Sequence, residues 1–152
     1  MSLISGIAQD IFENELDSTG VTLVSVSGWL NENLGALNTL LNTQFSGVAG
    51  EITDFNQEEK DIYKELYLHH YYKKQARNAL IKIVNDNAGN IISVQDGDNS
   101  ITFTNKNEVS KLYRGFANDS KERIDDLVYK YNVYRGSPRQ VGGIEVSGNL
   151  GA

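Results

Sequence analysis

The sequence predicts a mainly α fold: a bundle of about four helices, a small β-hairpin between the last two long helices, and an extended C-terminal arm. Two observations carry this. Apolar residues recur at three- and four-residue spacing through most of the chain, and the two longest such patterns, between Asn56 and Tyr134, hold all eight tyrosines. Between those patterns lie two short β-capable runs on either side of Asp96-Gly97. The expected organisation is one helical domain over 1–134, with the hairpin near 90–104, and a flexible glycine-rich arm over 135–152.

The first helix is predicted from Ile4, Ile7, Ala8, Ile11, Phe12 and Leu16, with Asp10, Glu13 and Glu15 on the other face. Asp17-Ser18-Thr19-Gly20 breaks it. Val21 to Val26 is rich in β-branched residues and reads as a short strand or an extended linker. Ser27 is placed to cap a second helix bearing Trp29, Leu30, Leu34, Leu37 and Leu41. Gly47 and Gly50 close that region.

The third helix starts with two overlapping capping-box spacings, Asp54 with Gln57 and Asn56 with Glu59. It is expected to run to about Val84, with Ile62, Leu66, Ala76, Leu80 and Ile83 inward. Glu58, Glu59 and Asp61 suit the positive end of its dipole, and Lys73, Lys74, Arg77 and Lys82 the negative end. Asn85 to Asn90 is a stop signal. The runs 91–94 and 101–103 then flank the turn at Asp96-Gly97. Asn105 with Glu108 caps the last helix, whose predicted inward face is Val109, Leu112, Tyr113, Phe116, Ala117, Ile124, Leu127, Val128 and Tyr131.

From Arg135 the character changes. Five glycines, the single proline and few large apolar groups cannot bury enough surface to order the segment alone. Gln140-Val141 and Ile144-Glu145-Val146 are nevertheless β-capable, so the arm can pair with an exposed edge on a neighbour. Arg135 and Arg139 bracket Gly136-Ser137-Pro138 and can grip an acidic surface. The candidate partner-binding residues are therefore Arg135, Arg139, Gln140, Val141, Ile144 and Val146.

Charge is divided unevenly. The net charge is −6, yet residues 1–59 hold nine acids and no Lys or Arg, and the remainder holds fourteen basic and eleven acidic residues. Such a split predicts complementary surfaces. The basic residues are interleaved with acids, which argues against sequence-specific nucleic-acid binding. Without cysteine, disulfides, Cys-ligated metals and thiol nucleophiles are excluded. No apolar run is long enough for a signal peptide or a membrane span, so the expected setting is the cytosol or a particle assembled there.

Candidate chemistry is thin. His69 and His70 are adjacent and diverge on a helix. Glu65 and His69 stand four apart, but no second pair completes a metal site. Asp96, Asp98 and Ser100 alternate like calcium ligands, yet position twelve of such a loop is Asn107 and the glycine is misplaced. Asp125-Asp126 diverge likewise. No catalytic residues, cofactor or metal are expected, and the chain reads as a non-enzyme.

The run from Glu58 to Leu80, EEKDIYKELYLHHYYKKQARNAL, resembles the central helix of tailed-phage head–tail connector (adaptor, or neck) proteins. Val94 to Ile101 and Asn107 to Lys111 extend the resemblance, which covers about Trp29 to Tyr134. It implies a mainly helical structural virion subunit that forms a homo-oligomeric ring, a dodecamer, between the portal protein and a tail or stopper protein. Genomic DNA would pass through the channel without sequence-specific binding. The acidic first third would suit a wall that repels phosphate, and the arm would clasp a neighbour. Two alternatives remain open: another neck protein, either stopper or tail terminator, and a small helical regulatory or chaperone-like binding module.

Overall fold

A computed structural model describes residues 4–16, 20–45, 55–85, 93–96, 99–102 and 106–136. The protein is mainly helical. The elements are α1 (Ile4–Asp10), a π-helical turn (Ile11–Glu15), α2 (Leu23–Glu32), α3 (Leu34–Leu41), α4 (Gln57–Asn85), β1 (Ser93–Asp96), β2 (Asn99–Thr102) and α5 (Lys106–Gly136). β1 and β2 pair antiparallel, Ser93 opposite Thr102 and Asp96 opposite Asn99. The expected turn at Asp96-Gly97 falls on a connection, 97–98, outside the described residues, as do Asp98 and the expected cap Asn105.

The first helix widens into a π turn because its apolar spacing does. Ile4, Ile7, Ala8 and Ile11 are buried at helical spacing, but the next buried residue, Leu16, stands five further on. A π turn brings residues five apart onto one side.

The reading of Val21 to Val26 as strand or linker is corrected: it enters α2. Thr22, not Ser27, is the cap. Its Oγ1 accepts from Ser25 N–H at 3.1 Å, and Ser25 Oγ accepts from Thr22 N–H at 3.2 Å. A reciprocal local cap outweighs the weak strand preference of β-branched residues.

The single second helix expected from Trp29 to Leu41 is divided at Asn33, whose side-chain Nδ2 donates to Trp29 O at 2.8 Å. Leu30, Leu34, Leu37 and Leu41 still form one buried row across the break. Asn42 ends α3 in the left-handed conformation, φ 52°, which asparagine tolerates. Asn38 then holds the following turn, accepting from Phe45 N–H and donating to Phe45 O, both at 2.8 Å.

α4 begins with the expected Asn56–Glu59 box. Asn56 Oδ1 accepts from Glu59 N–H and Glu59 Oε2 accepts from Asn56 N–H, each at 2.9 Å. The core forms where α1, the π turn, α2 and α3 cover the first half of α4 and the last part of α5. Tyr63 is fully buried and its hydroxyl donates to Leu30 O. Burial pushes the Tyr63 phenol well above its ordinary range. Asn132 Nδ2 donates to Leu40 O at 2.9 Å, tying α5 to the end of α3.

Two inward assignments on α5 are corrected. Ala117, Ile124 and Tyr131 are buried as expected, but Leu112 is 58% exposed and Phe116 41% exposed. Periodicity defines a stripe, and α1–α3 do not reach far enough to cover this end of it. The side chain of Ile83, also expected inward, lies outside those described. Among the described residues, no helix is long and apolar enough to cross a membrane.

Candidate interaction surfaces

Of the six candidate partner-binding residues, Arg135 is described; Arg139, Gln140, Val141, Ile144 and Val146 lie outside the described residues. Arg135 sits in the last turn of α5. Its Nη1 donates to Tyr131 Oη at 2.9 Å, and its guanidinium lies 5.4 Å from the Tyr131 ring centroid. Tyr131 Oη in turn donates to Glu59 Oε1 at 2.7 Å. Burial, with the adjoining Glu59 carboxylate, raises the Tyr131 pKa. A chain of bonds thus runs from the cap of α4 through Glu59 and Tyr131 to the end of α5. Beside it lies a mostly apolar groove of about 640 Å³ lined by Ile62, Leu127, Tyr131, Tyr134 and Arg135. Tyr131 is buried, while Tyr129 and Tyr134 are exposed.

Both histidines are absorbed into packing. His69 Nδ1 lies 2.8 Å from Ala117 O, which makes Nδ1 the protonated donor. His70 stacks on Trp29 with ring centroids 5.0 Å apart and planes 27° from parallel. Burial, then the nearby Lys74 and Arg77 charges, lowers the His70 pKa. Glu65 does not pair with His69. Its Oε1 takes Arg123 Nη1 at 2.9 Å, and its buried Oε2 makes no hydrogen bond among the described residues. Burial raises the Glu65 pKa, with the Arg123 charge opposing. Asp125 and Asp126 each take a lysine one turn away, Lys121 and Lys130. Among the described residues, no group of three or more His, Cys, Asp or Glu side chains is placed to hold a metal ion.

Part of the acidic first third is engaged within the chain. Asp10 lies 3.3 Å from Lys60 and 3.1 Å from Lys64, and Glu15 lies 3.2 Å from Lys64. Glu59 is buried, and Glu13, Glu32 and Glu58 remain exposed. The α4 lysines thus offset the charge of two of these acids, Asp10 and Glu15. Sequence reasoning missed this, since Lys60 and Lys64 were separated from Asp10 by the very boundary used to divide the charge.

Among the described residues, the exposed large apolar side chains are Val24 on α2, Ile81 on α4, and Leu112, Phe116, Tyr129, Val133 and Tyr134 on α5, so most lie on the two long helices. At the far end of the pair, Phe116 contacts Tyr72 at 5.4 Å and Tyr113 at 6.4 Å between centroids. Compared with known protein families, curated proteins and solved structures, the chain matches none.

Proposed function

We propose that this chain is a non-catalytic structural subunit that assembles through its long helices, and that it serves as a head–tail connector (adaptor) in a tailed-phage virion. The observation that carries the assembly reading is the uncovered stretch of the α4–α5 pair. Helices of 29 and 31 residues span about 43 and 46 Å, while α1–α3 cover only one end. Ile81, Leu112 and Phe116 are left exposed on the other. Apolar side chains clustered on paired rods favour burial against a neighbour. The phage assignment rests on the resemblance of 58–80, 94–101 and 107–111 to connector proteins.

In this reading the subunits form a ring at the neck, between portal and tail or stopper, with DNA passing through. The hairpin near 90–104 and the arm over 135–152 contact neighbouring proteins. The test is co-expression with a portal protein encoded beside the gene, followed by light scattering and negative-stain microscopy. A ring on the portal is the expected result. A chain that stays monomeric and leaves the portal undecorated overturns the proposal in favour of a small binding module. Removing 137–152 is expected to leave α4 and α5 folded and to reduce portal binding at least about tenfold, as loss of a β-pairing arm should.

A further inference from the structure

Tyr63, His70 and Arg77 stand seven residues apart on one face of α4, and their surroundings change along it. Tyr63 is buried beneath α2, His70 is half-covered by Trp29, and Arg77 is exposed. Where the cover ends, that face becomes cationic: Lys73, Lys74 and Arg77 are all exposed, with Ile81 one turn beyond. Five other cations have carboxylate partners: Lys60, Lys64, Lys121, Arg123 and Lys130. Lys73, Lys74 and Arg77 have none among the described residues, nor do Lys82, Lys111 and Arg114; the first three are the ones gathered on this face. They rim a groove of about 570 Å³ floored by Trp29, Ala36 and Leu66.

A complementary stripe runs along α5. Ala117, Ser120, Ile124 and Tyr131 are turned inward, and Asp119, Glu122 and Asp126 occupy exposed positions on the outward side. Among the described residues Asp126 pairs with the exposed Lys130, a surface pair that exchanges at little cost. The two stripes look in different directions, one on the α2 side of α4 and the other on the side of α5 turned away from α4.

Building on the assembly reading above, we propose that the Lys73–Lys74–Arg77 stripe of one copy docks onto the Asp119–Glu122–Asp126 stripe of the next. The spacing matches: Lys73 to Arg77 and Glu122 to Asp126 are each four residues, about 6 Å along a helix. With the two helices antiparallel, Lys73 meets Asp126 and Arg77 meets Glu122, and Ile81 comes within about a turn of Phe116, so two of the exposed apolar residues lie at one end of the contact. Two different patches in contact make a head-to-tail interface, which closes into a ring when the rotation per copy allows. A nucleic-acid duplex is the poorer occupant. Three cations form a short stripe, and the chain as a whole carries −6.

Charge exchange on the full-length chain tests this. The variants K73E/K74E/R77E and D119K/E122K/D126K each carry like charges on both stripes. Sedimentation at about 0.1 M salt keeps contact charges within the screening length of about 10 Å. Wild type is expected to self-associate, each variant alone to associate at least about tenfold more weakly, and an equimolar mixture to recover association. Circular dichroism checks that each is folded; should a triple variant unfold, R77E mixed with E122K poses the same question. Variants that assemble like wild type, or a folded mixture that stays monomeric, overturn the inference. So does a wild type that remains monomeric throughout, while the adaptor reading is decided separately by portal decoration. Binding of a short DNA duplex that K73E/K74E/R77E abolishes, without self-association, also overturns it and gives the stripe to nucleic acid.

Discussion

The two ends of the α4–α5 pair are built from the same kind of helix and live in different environments. At one end α1–α3 bury Ile62, Tyr63, Tyr67, Leu68 and Tyr131. At the other, Lys73, Lys74, Arg77, Ile81, Leu112 and Phe116 face outward, while α4 and α5 pack on each other: His69 Nδ1 donates to Ala117 O at 2.8 Å, Ser110 Oγ donates to Ala76 O at 3.1 Å, and Tyr72 meets Phe116. The covered end holds the larger core, and at the other end α4 and α5 rest on each other through the small buried residues Ala76, Ser110 and Ala117. Long helices in a small protein need not be stabilised evenly, because most helical stability comes from tertiary burial.

The sharpest way to break this contrast is a pair of truncations. Tyr63→Ala removes a fully buried ring and is expected to cost about 3–5 kcal/mol in urea unfolding. Phe116→Ala at the open end should change stability by no more than about 0.5 kcal/mol. Comparable losses at both sites would mean the far end is part of the same core. Arg123→Ala comes next. It leaves the buried Glu65 carboxylate without its cation, and because Arg123 is largely exposed the expected loss is about 1–2 kcal/mol, below that of a buried pair.

Asn56→Ala removes one half of the box that starts α4 and is expected to cost about 1 kcal/mol. The smallest effect is a pH dependence. Asp10 is held down to about 2, first by its hydrogen bond from Asn14 and then by Lys64, with Lys60 adding to them. A depressed acid stabilises the fold above its unfolded pKa near 3.8, and that contribution is lost as pH falls from about 4 to about 2. Glu65 acts in the opposite sense. Its raised pKa means the folded state holds the proton more tightly, so this group's contribution declines as pH rises above the ordinary glutamate value. Acid titrations of Asp10→Asn should show a flatter limb below pH 4, and an unchanged limb would remove Asp10 from the account.

Local signals in the sequence were the most legible. The Asn56–Glu59 box and the Leu30–Leu34–Leu37–Leu41 row appear where their spacing puts them, since both depend on residues within a turn or two. Thr22 is hard to find from sequence, because its capping partner is Ser25 and not the Glu or Gln usual at that position. A 3–4 repeat places Leu112 and Phe116 inward, yet it does not record where the covering helices stop, and both are exposed. Tyr63 and Tyr67 are buried within the monomer, and only a knowledge of what α2 lays over them could say so. The spacing of the cations at 73–77 suits the helix dipole, but that they form no ion pair with a described carboxylate depends on tertiary placement. At the candidate site, Arg135 was legible as a polar anchor, but its grip on Tyr131 and, through it, Glu59 joins residues far apart in sequence.

That last linkage has a mechanical meaning. The final turn of α5, from which the remaining sixteen residues depart, is fastened to the opening turn of α4 through Tyr131 and Glu59. Tension applied at the carboxyl terminus therefore passes across to the head of the neighbouring helix, sharing the load between two rods, so that α5 is not simply peeled from its end.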